Sequence, residues 1–170
     1  LIFTNIGKVY SIHANKLKIK NNDFEPIRKY LNLTQDEYIL HVNEYSLDGP
    51  DLILISKKGK GMISKQKEML TSTRNGKVVI NLARGVSVCA VRQVSGSHIA
   101  VISDSGNLLV FSHEDIKRLS RGSGIIFQNL KNGTIIDITS ANPNEVINLV
   151  NKNTSRSIIK IDTSDYLGER

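Results

Sequence analysis

Seven cations crowd one short stretch of the chain, Lys57, Lys58, Lys60, Lys65, Lys67, Arg74 and Lys77, and the chemistry such a set offers is anion binding. No aromatic residue is interleaved among them, so stacking on unpaired bases is disfavoured and phosphate contact to a duplex is the reading they support. A solvated face that keeps the domain soluble is the competing reading of the same residues. Further along, Lys117 and Arg118 precede the turn Arg121-Gly122-Ser123-Gly124, whose glycines would let backbone N–H groups converge on an anion. That turn lacks the Gly-Lys-Ser/Thr ending of a nucleotide-binding P-loop, which leaves two readings open, a phosphate contact or a plain connecting turn.

Catalytic groups are harder to assemble. His113-Glu114-Asp115 has the residue types for proton transfer, but three consecutive side chains cannot face one another, and Ser112 with Asp115 three residues on makes a capping-box pattern instead. Cys89 stands among alternating apolar residues in Val86-Ser87-Val88-Cys89-Ala90-Val91, the setting of a small buried hydrophobe and not of a nucleophile. As the one cysteine of the chain it excludes an internal disulfide and a multi-cysteine zinc site. The four histidines lack metal-ligand spacing, with His13, His41 and His98 in or beside strand patterns. The expectation is a chain with no catalytic residue and no metal.

The fold that holds the cations is bounded by size and charge. At 170 residues, 39% hydrophobic and 23% charged, the chain has the length and composition of one globular domain with a real core. No run approaches the ~18 apolar residues of a membrane span, and Leu1 to Tyr10 lacks the sections of a signal peptide, so the chain reads as soluble and unsecreted. It starts without methionine in a strand-like pattern and is expected to be a fragment. Residues 1–50, 97–144 and 145–170 are each balanced, with six, four and four charges of either sign, whereas 51–96 carries nine basic against two acidic residues. That stretch supplies the whole net charge of +7. An AT-rich genome would explain abundant Lys and Asn, but not their confinement to one stretch.

Self-similarity then gives the architecture. Phe3 to Tyr10, Ile55 to Met62 and Ile102 to Leu109 share one pattern, an apolar run, a polar turn with glycine and a second apolar run, which spells a β-hairpin. A fourth copy, Val150 to Ser157, has lost its glycine. Corresponding positions 7, 59, 106 and 154 lie 52, 47 and 48 residues apart, and Gly76 to Leu82 matches Gly124 to Leu130 at the same period, with Leu31-Asn32-Leu33 as the counterpart in the first unit. A short polar piece follows each hairpin, Ser64 to Leu70 and Ser112 to Leu119, with room for one helical turn. Another apolar run closes each unit, Tyr38 to Tyr45, Val86 to Val94 and Thr134 to Thr139. The turns Asp48-Gly49-Pro50, Ser95-Gly96-Ser97 and Asn142-Pro143-Asn144 fall between units. Four short strands per unit of about 48 residues predict an all-β, propeller-like array with units 1–49, 50–96, 97–143 and a truncated 144–170. Hairpin tips and the polar turns beside them are expected on one rim, which would gather the charges of 57–77 on one side.

These hairpins, with Arg74-Asn75-Gly76-Lys77 to Asn81-Leu82 and the run Ile99 to Leu130 containing Asp104-Ser105-Gly106 and Leu119 to Gly124, resemble the C-terminal domain shared by the A subunits of bacterial DNA gyrase and topoisomerase IV. The likeness extends over essentially the whole chain. It implies a β-pinwheel, in which propeller-like blades exchange strands and a basic outer rim binds and bends double-stranded DNA through residues such as the seven cations with Lys117, Arg118 and Arg121. It implies a place in an ATP-dependent type IIA topoisomerase that is cytoplasmic and nucleoid-associated, with a B subunit beside a homodimer of A subunits, and with ATP and Mg2+ used elsewhere in the enzyme. Of the two branches the sequence is closer to topoisomerase IV, because the loop Lys18 to Arg28 has no glutamine, arginine and glycine-rich box of the gyrase kind. None of the five tyrosines lies in the arginine-tyrosine context of a cleavage site, and Gly168-Glu169-Arg170 falls where a turn like Arg121 to Gly124 would begin. A protein-interaction propeller is the alternative from another class, weakened by the lack of Trp-Asp or Gly-His signatures.

Overall fold

The computed structural model describes residues 1–17, 19–20, 23–114, 116–150 and 158–167. The turn of the fourth hairpin copy, the end of the chain, Asp115 and parts of the Lys18 to Arg28 loop lie outside the described residues. Among the described residues every regular element is a short strand or a single 3-10 turn. The first unit contains β1 (Ile2–Thr4), β2 (Lys8–Tyr10), η1 (Ala14–Lys16), β3 (Ile19–Lys20), β4 (Asp23–Phe24), η2 (Ile27–Lys29) and β5 (Ile39–Val42). The second contains β6 (Leu52–Ser56), β7 (Lys60–Ser64), η3 (Gln66–Met69), β8 (Lys77–Val78) and β9 (Val88–Gln93). The third contains β10 (His98–Ser103), β11 (Leu108–Ser112), β12 (Ile125–Ile126) and β13 (Ile135–Ala141), and the fourth β14 (Val146–Val150), β15 (Ile158–Asp162) and η4 (Thr163–Tyr166).

Pairing does not follow the units. The strand order is β5-β1-β2-β8 in one sheet and β12-β7-β6-β9 in the next, so each of these two hairpins is flanked by the last strand of its own unit and by the third strand of the following one. Val9 pairs with Lys77 in the first blade, and Gly61 with Ile125 in the second. The hairpin glycine makes this exchange possible. Gly59 has φ 79°, and a Cβ built on it would lie 2.1 Å from the Gln128 carbonyl oxygen, while its own carbonyl accepts the Phe127 N–H at 2.8 Å. A second link joins neighbouring blades: the Val88 N–H donates to Asn5 O at 2.8 Å and the Ile135 N–H to Lys57 O at 2.9 Å.

Burial explains why these strands read as unbroken apolar runs. In β6, Leu52 and Leu54 face the first blade and pack with Phe3, Val9 and Val79, while Ile53 and Ile55 face the third and pack with Ile99, Phe111 and Phe127. Successive side chains of a strand point to opposite faces, and here both faces are covered. The polar piece after each hairpin secures the connector between units. Gln66 is buried and donates to Pro50 O at 2.9 Å; His113 Nε2 donates to Gly96 O at 2.8 Å; Thr163 Oγ1 donates to Asn142 O at 3.1 Å. A carbonyl only accepts, so the His113 ring carries its hydrogen on Nε2.

Candidate nucleic-acid interface

The structure divides the expected cation set between two ends of the blades. Lys57 and Lys58 form the turn of the β6–β7 hairpin and Lys60 begins β7, whereas Lys65 and Lys67 lie beyond the far end of that strand. Five residues of β7 separate them, about 16 Å at ~3.3 Å per residue. The expectation that charges through 57–77 gather on one side is therefore corrected: a hairpin's turn and the segment leaving its second strand are at opposite ends by construction.

At the 3-10 end Arg118, Arg74 and Lys77 are engaged, whereas Lys65 and Lys67 are exposed. Arg118 Nε donates to Asp51 Oδ2 at 2.9 Å and its Nη1 to the carbonyls of His113 and Ile116 at 3.2 and 2.8 Å. It shares a notch of about 360 Å³ with Lys65, Lys67, Glu68, Leu119 and Ser120. Arg74 donates from Nε to Tyr30 O at 3.1 Å and from Nη2 to Lys29 O, so it ties the second unit to the first. Lys77, on the outer strand of the first blade, donates to Glu68 O at 2.5 Å. Lys117 is exposed at this end of the third unit. Arg121 is exposed beside a clamp in which the Gly122 N–H donates to Val79 O at 3.1 Å and Gly122 O accepts from Asn81 N at 2.7 Å. Those backbone groups serve blade-to-blade pairing, which gives the turn its structural role.

At the hairpin-turn end Lys57, Lys58 and Lys60 are exposed, and Lys58 Nζ reaches Gly133 O at 3.4 Å. Two cations that the sequence motifs did not mark, Arg84 and Lys131, stand in exposed loops here. The signal that could have found them is the strand exchange itself, which carries each loop following a third strand back to the preceding hairpin turn.

The other chemically interesting groups are accounted for by packing. Cys89 is half-buried with Sγ 3.4 Å from Ile55 O, and burial first, then the charge of Asp137, pushes its thiol up to about 11. His113 is buried in the connector contact just described, and the Glu114 N–H donates to Ser112 Oγ at 3.3 Å. Among the described residues no three His, Cys, Asp or Glu side chains gather as a metal site, and no helix is long and apolar enough to cross a membrane.

Blades set side by side, of which the first two are four-stranded and completed by a strand from the next unit, define a β-pinwheel, the strand-exchanged form of a propeller. This chain belongs to the DNA gyrase C-terminal domain, beta-propeller, family, whose model matches residues 1–23, 50–95 and 97–142. It is similar to the A subunit of DNA topoisomerase 4 from Caulobacter vibrioides, with 31% identity over 143 residues that make up 84% of this chain and 18% of the relative. The corresponding protein of Rickettsia conorii is 26% identical over all 170 residues, which are 22% of its length. The chain thus spans about a fifth of the curated relatives it matches. Among solved structures, the E. coli ParC C-terminal domain superposes with a TM-score of 0.85 at 21% identity, covering 99% of this chain and 72% of that one. A DNA gyrase A C-terminal domain gives 0.76 at 23%, covering 99% and 56%. At these identities the structures speak for the fold.

Proposed function

We propose that this chain is the duplex DNA-binding and bending domain from the A subunit of topoisomerase IV, a type IIA topoisomerase, and guides a DNA segment for ATP-dependent strand passage in decatenation and supercoil relaxation. The observation that carries the reading is a cation excess confined to one stretch of a domain in this family. The named relatives and the missing arginine and glycine box between Lys18 and Arg28 favour topoisomerase IV over gyrase. In the whole enzyme the domain would act beside the B subunit, together with the rest of a dimeric A subunit, in the bacterial cytoplasm at the nucleoid, with ATP and Mg2+ bound elsewhere. Its own part is contact with phosphates, which needs charge and shape but no base readout.

Mobility of a duplex fragment over a salt series tests this. Each phosphate neutralised releases counterions, so log affinity should fall with log salt at a slope of about −0.9 per phosphate. Equal binding at low and high salt, strong discrimination between unrelated duplexes of one length, or no binding at all would overturn it, the last in favour of a protein-interaction propeller.

A further inference from the structure

The two ends of the blades differ in how their charges are compensated. At the 3-10 end cations and acids alternate: Arg118 with Asp51, Lys29 with Glu25 at 3.1 Å, and Lys65 and Lys67 beside Glu68. At the hairpin-turn end the exchanged strands interleave the turns with loops. The Lys57 N–H donates to Ser87 O and the Val88 N–H to Asn5 O, which seats the Arg84 loop between the first and second turns. In the same way Ile135 N–H to Lys57 O, Asp104 N–H to Thr134 O and Lys58 Nζ to Gly133 O seat the Lys131 loop between the second and third. Arg84, Lys57, Lys58, Lys60 and Lys131 therefore form one row, to which the second and third units both contribute. Among the described residues none of these five cations is in a salt bridge, which is equally true of Lys65, Lys67 and Lys117; the ends differ in that Glu68 lines one notch with Lys65, Lys67 and Arg118.

The row has limits on both sides. On the first blade the turn carries Ile6 in place of Lys58, Lys8 points to Glu37 at 4.0 Å, and Asn5 Nδ2 bonds the carbonyl of Asp36, an exposed acid. On the third blade the turn carries Asp104, whose carboxyl is held below the usual range by the Thr134 backbone N–H and by the Thr134 hydroxyl at 3.0 Å. A strip of uncompensated positive charge bounded by an acid at each side fits one polyanion crossing the middle blade.

We propose that the phosphate backbone of a bound duplex crosses the hairpin-turn end of the second blade on Arg84, Lys57, Lys58, Lys60 and Lys131, and that Arg74 and Arg118 at the 3-10 end serve blade-to-blade contacts. This rests on the DNA-binding reading and narrows it. Two triple variants with equal change in net charge separate the ends: Lys58→Glu, Arg84→Glu and Lys131→Glu against Lys65→Glu, Lys67→Glu and Lys117→Glu. At fixed salt the first set should weaken binding of one duplex by about 100-fold or more and flatten the salt slope by about 2.7, three phosphates' worth. The second should cost less than about tenfold and leave the slope within one phosphate equivalent of the parent, ~0.9. Circular dichroism monitors folding, and matching Lys→Gln and Arg→Gln sets should keep the order. Equal losses, or a greater loss from the second set, overturn the path while leaving duplex binding intact. A parent chain that does not shift the duplex even at low salt overturns the binding reading, and the path with it.

Discussion

A single buried carboxylate shows what one residue contributes to this fold. Glu37 has a fully buried side chain, and its Oε1 accepts from Thr4 Oγ1 at 2.8 Å and Tyr10 OH at 2.9 Å while Oε2 accepts from the Thr34 N–H at 3.1 Å. Burial alone would raise its pKa, but the Thr34, Thr4 and Tyr10 hydrogen bonds and the Lys8 charge outweigh it and hold the carboxyl below the usual range. Tyr10 is shifted the other way, upward, by burial and by Glu37. A folded-state pKa below the unfolded one means that the stabilisation is complete above the unfolded value of about 4.3 and is lost as pH falls through the folded value. Glu37→Gln can keep its oxygen on the Thr34 N–H only by turning its NH2 to the Thr4 and Tyr10 hydroxyls, which must then accept instead of donate, and it loses the charge facing Lys8, so at pH 7 it should cost about 1–3 kcal/mol, and its stability should fall less steeply between neutral and acid pH. Urea titrations at several pH values measure both, and parallel profiles for parent and variant would exclude Glu37 as the linked group. The spacing Thr34-Gln35-Asp36-Glu37 is that of a capping box and is compatible with the bond to the Thr34 N–H, but nothing in it marked the acid as buried, because its partners on β1 and β2 lie about 30 residues away. Residue chemistry of that kind depends on contacts, and a one-dimensional pattern does not contain them.

Elements were more legible, since hairpin periodicity is local. The three glycine turns stand at the registers read from the repeats, with φ of 79°, 79° and 80° at Gly7, Gly59 and Gly106. The residue pattern alone did not reveal that the same glycine is also the landing point of the next unit's third strand, because a two-residue strand such as β8 or β12 carries too few side chains to name its partner. The strand exchange was available only as an implication of family resemblance. Gly59 and Gly106 separate the two roles: a Cβ on Gly59 would strike the Gln128 backbone, whereas on Gly106 it would meet nothing within 4 Å among the described residues. Gly106→Ala should therefore cost only the strain of a left-handed conformation, ~1–2 kcal/mol. Gly59→Ala adds displacement of the exchanged strand and should cost at least twice as much, about 3 kcal/mol or more. Chemical denaturation decides it, and equal losses would mean that the turn conformation alone demands glycine. Connector contacts were hidden from pattern reading for a related reason. Gln66, His113 and Thr163 do one job with three different side chains, so no motif repeats.

For the whole molecule, net charge was readable and its placement was not. The sequence located an excess of seven within 51–96, yet topology sends its members to opposite ends of the blades and adds Lys131 from the following unit. A compact positive strip on one blade would limit how DNA could be held there. Chiral wrapping requires the duplex to stay in contact with several blades in succession, so that its bending accumulates with one hand, and bending costs of order 1–6 kcal/mol for 40–90° over 20–30 base pairs. The cations that could carry the path onward are flanked by Asp36 on one side and Asp104 on the other, and no arginine and glycine box stands between Lys18 and Arg28 to hold a duplex beyond the first blade. On the proposed path, contacts limited to the middle blade would bend a passing segment but would leave it free to leave the surface on either side. Relaxed circular DNA saturated with this chain and then treated with a nicking-closing enzyme should therefore show little change in linking number, even at concentrations where a linear duplex is fully shifted. A change of one consistent sign that grows with the amount of bound protein would show that the duplex continues past the acidic boundaries, and would place this domain with wrapping domains of the gyrase kind.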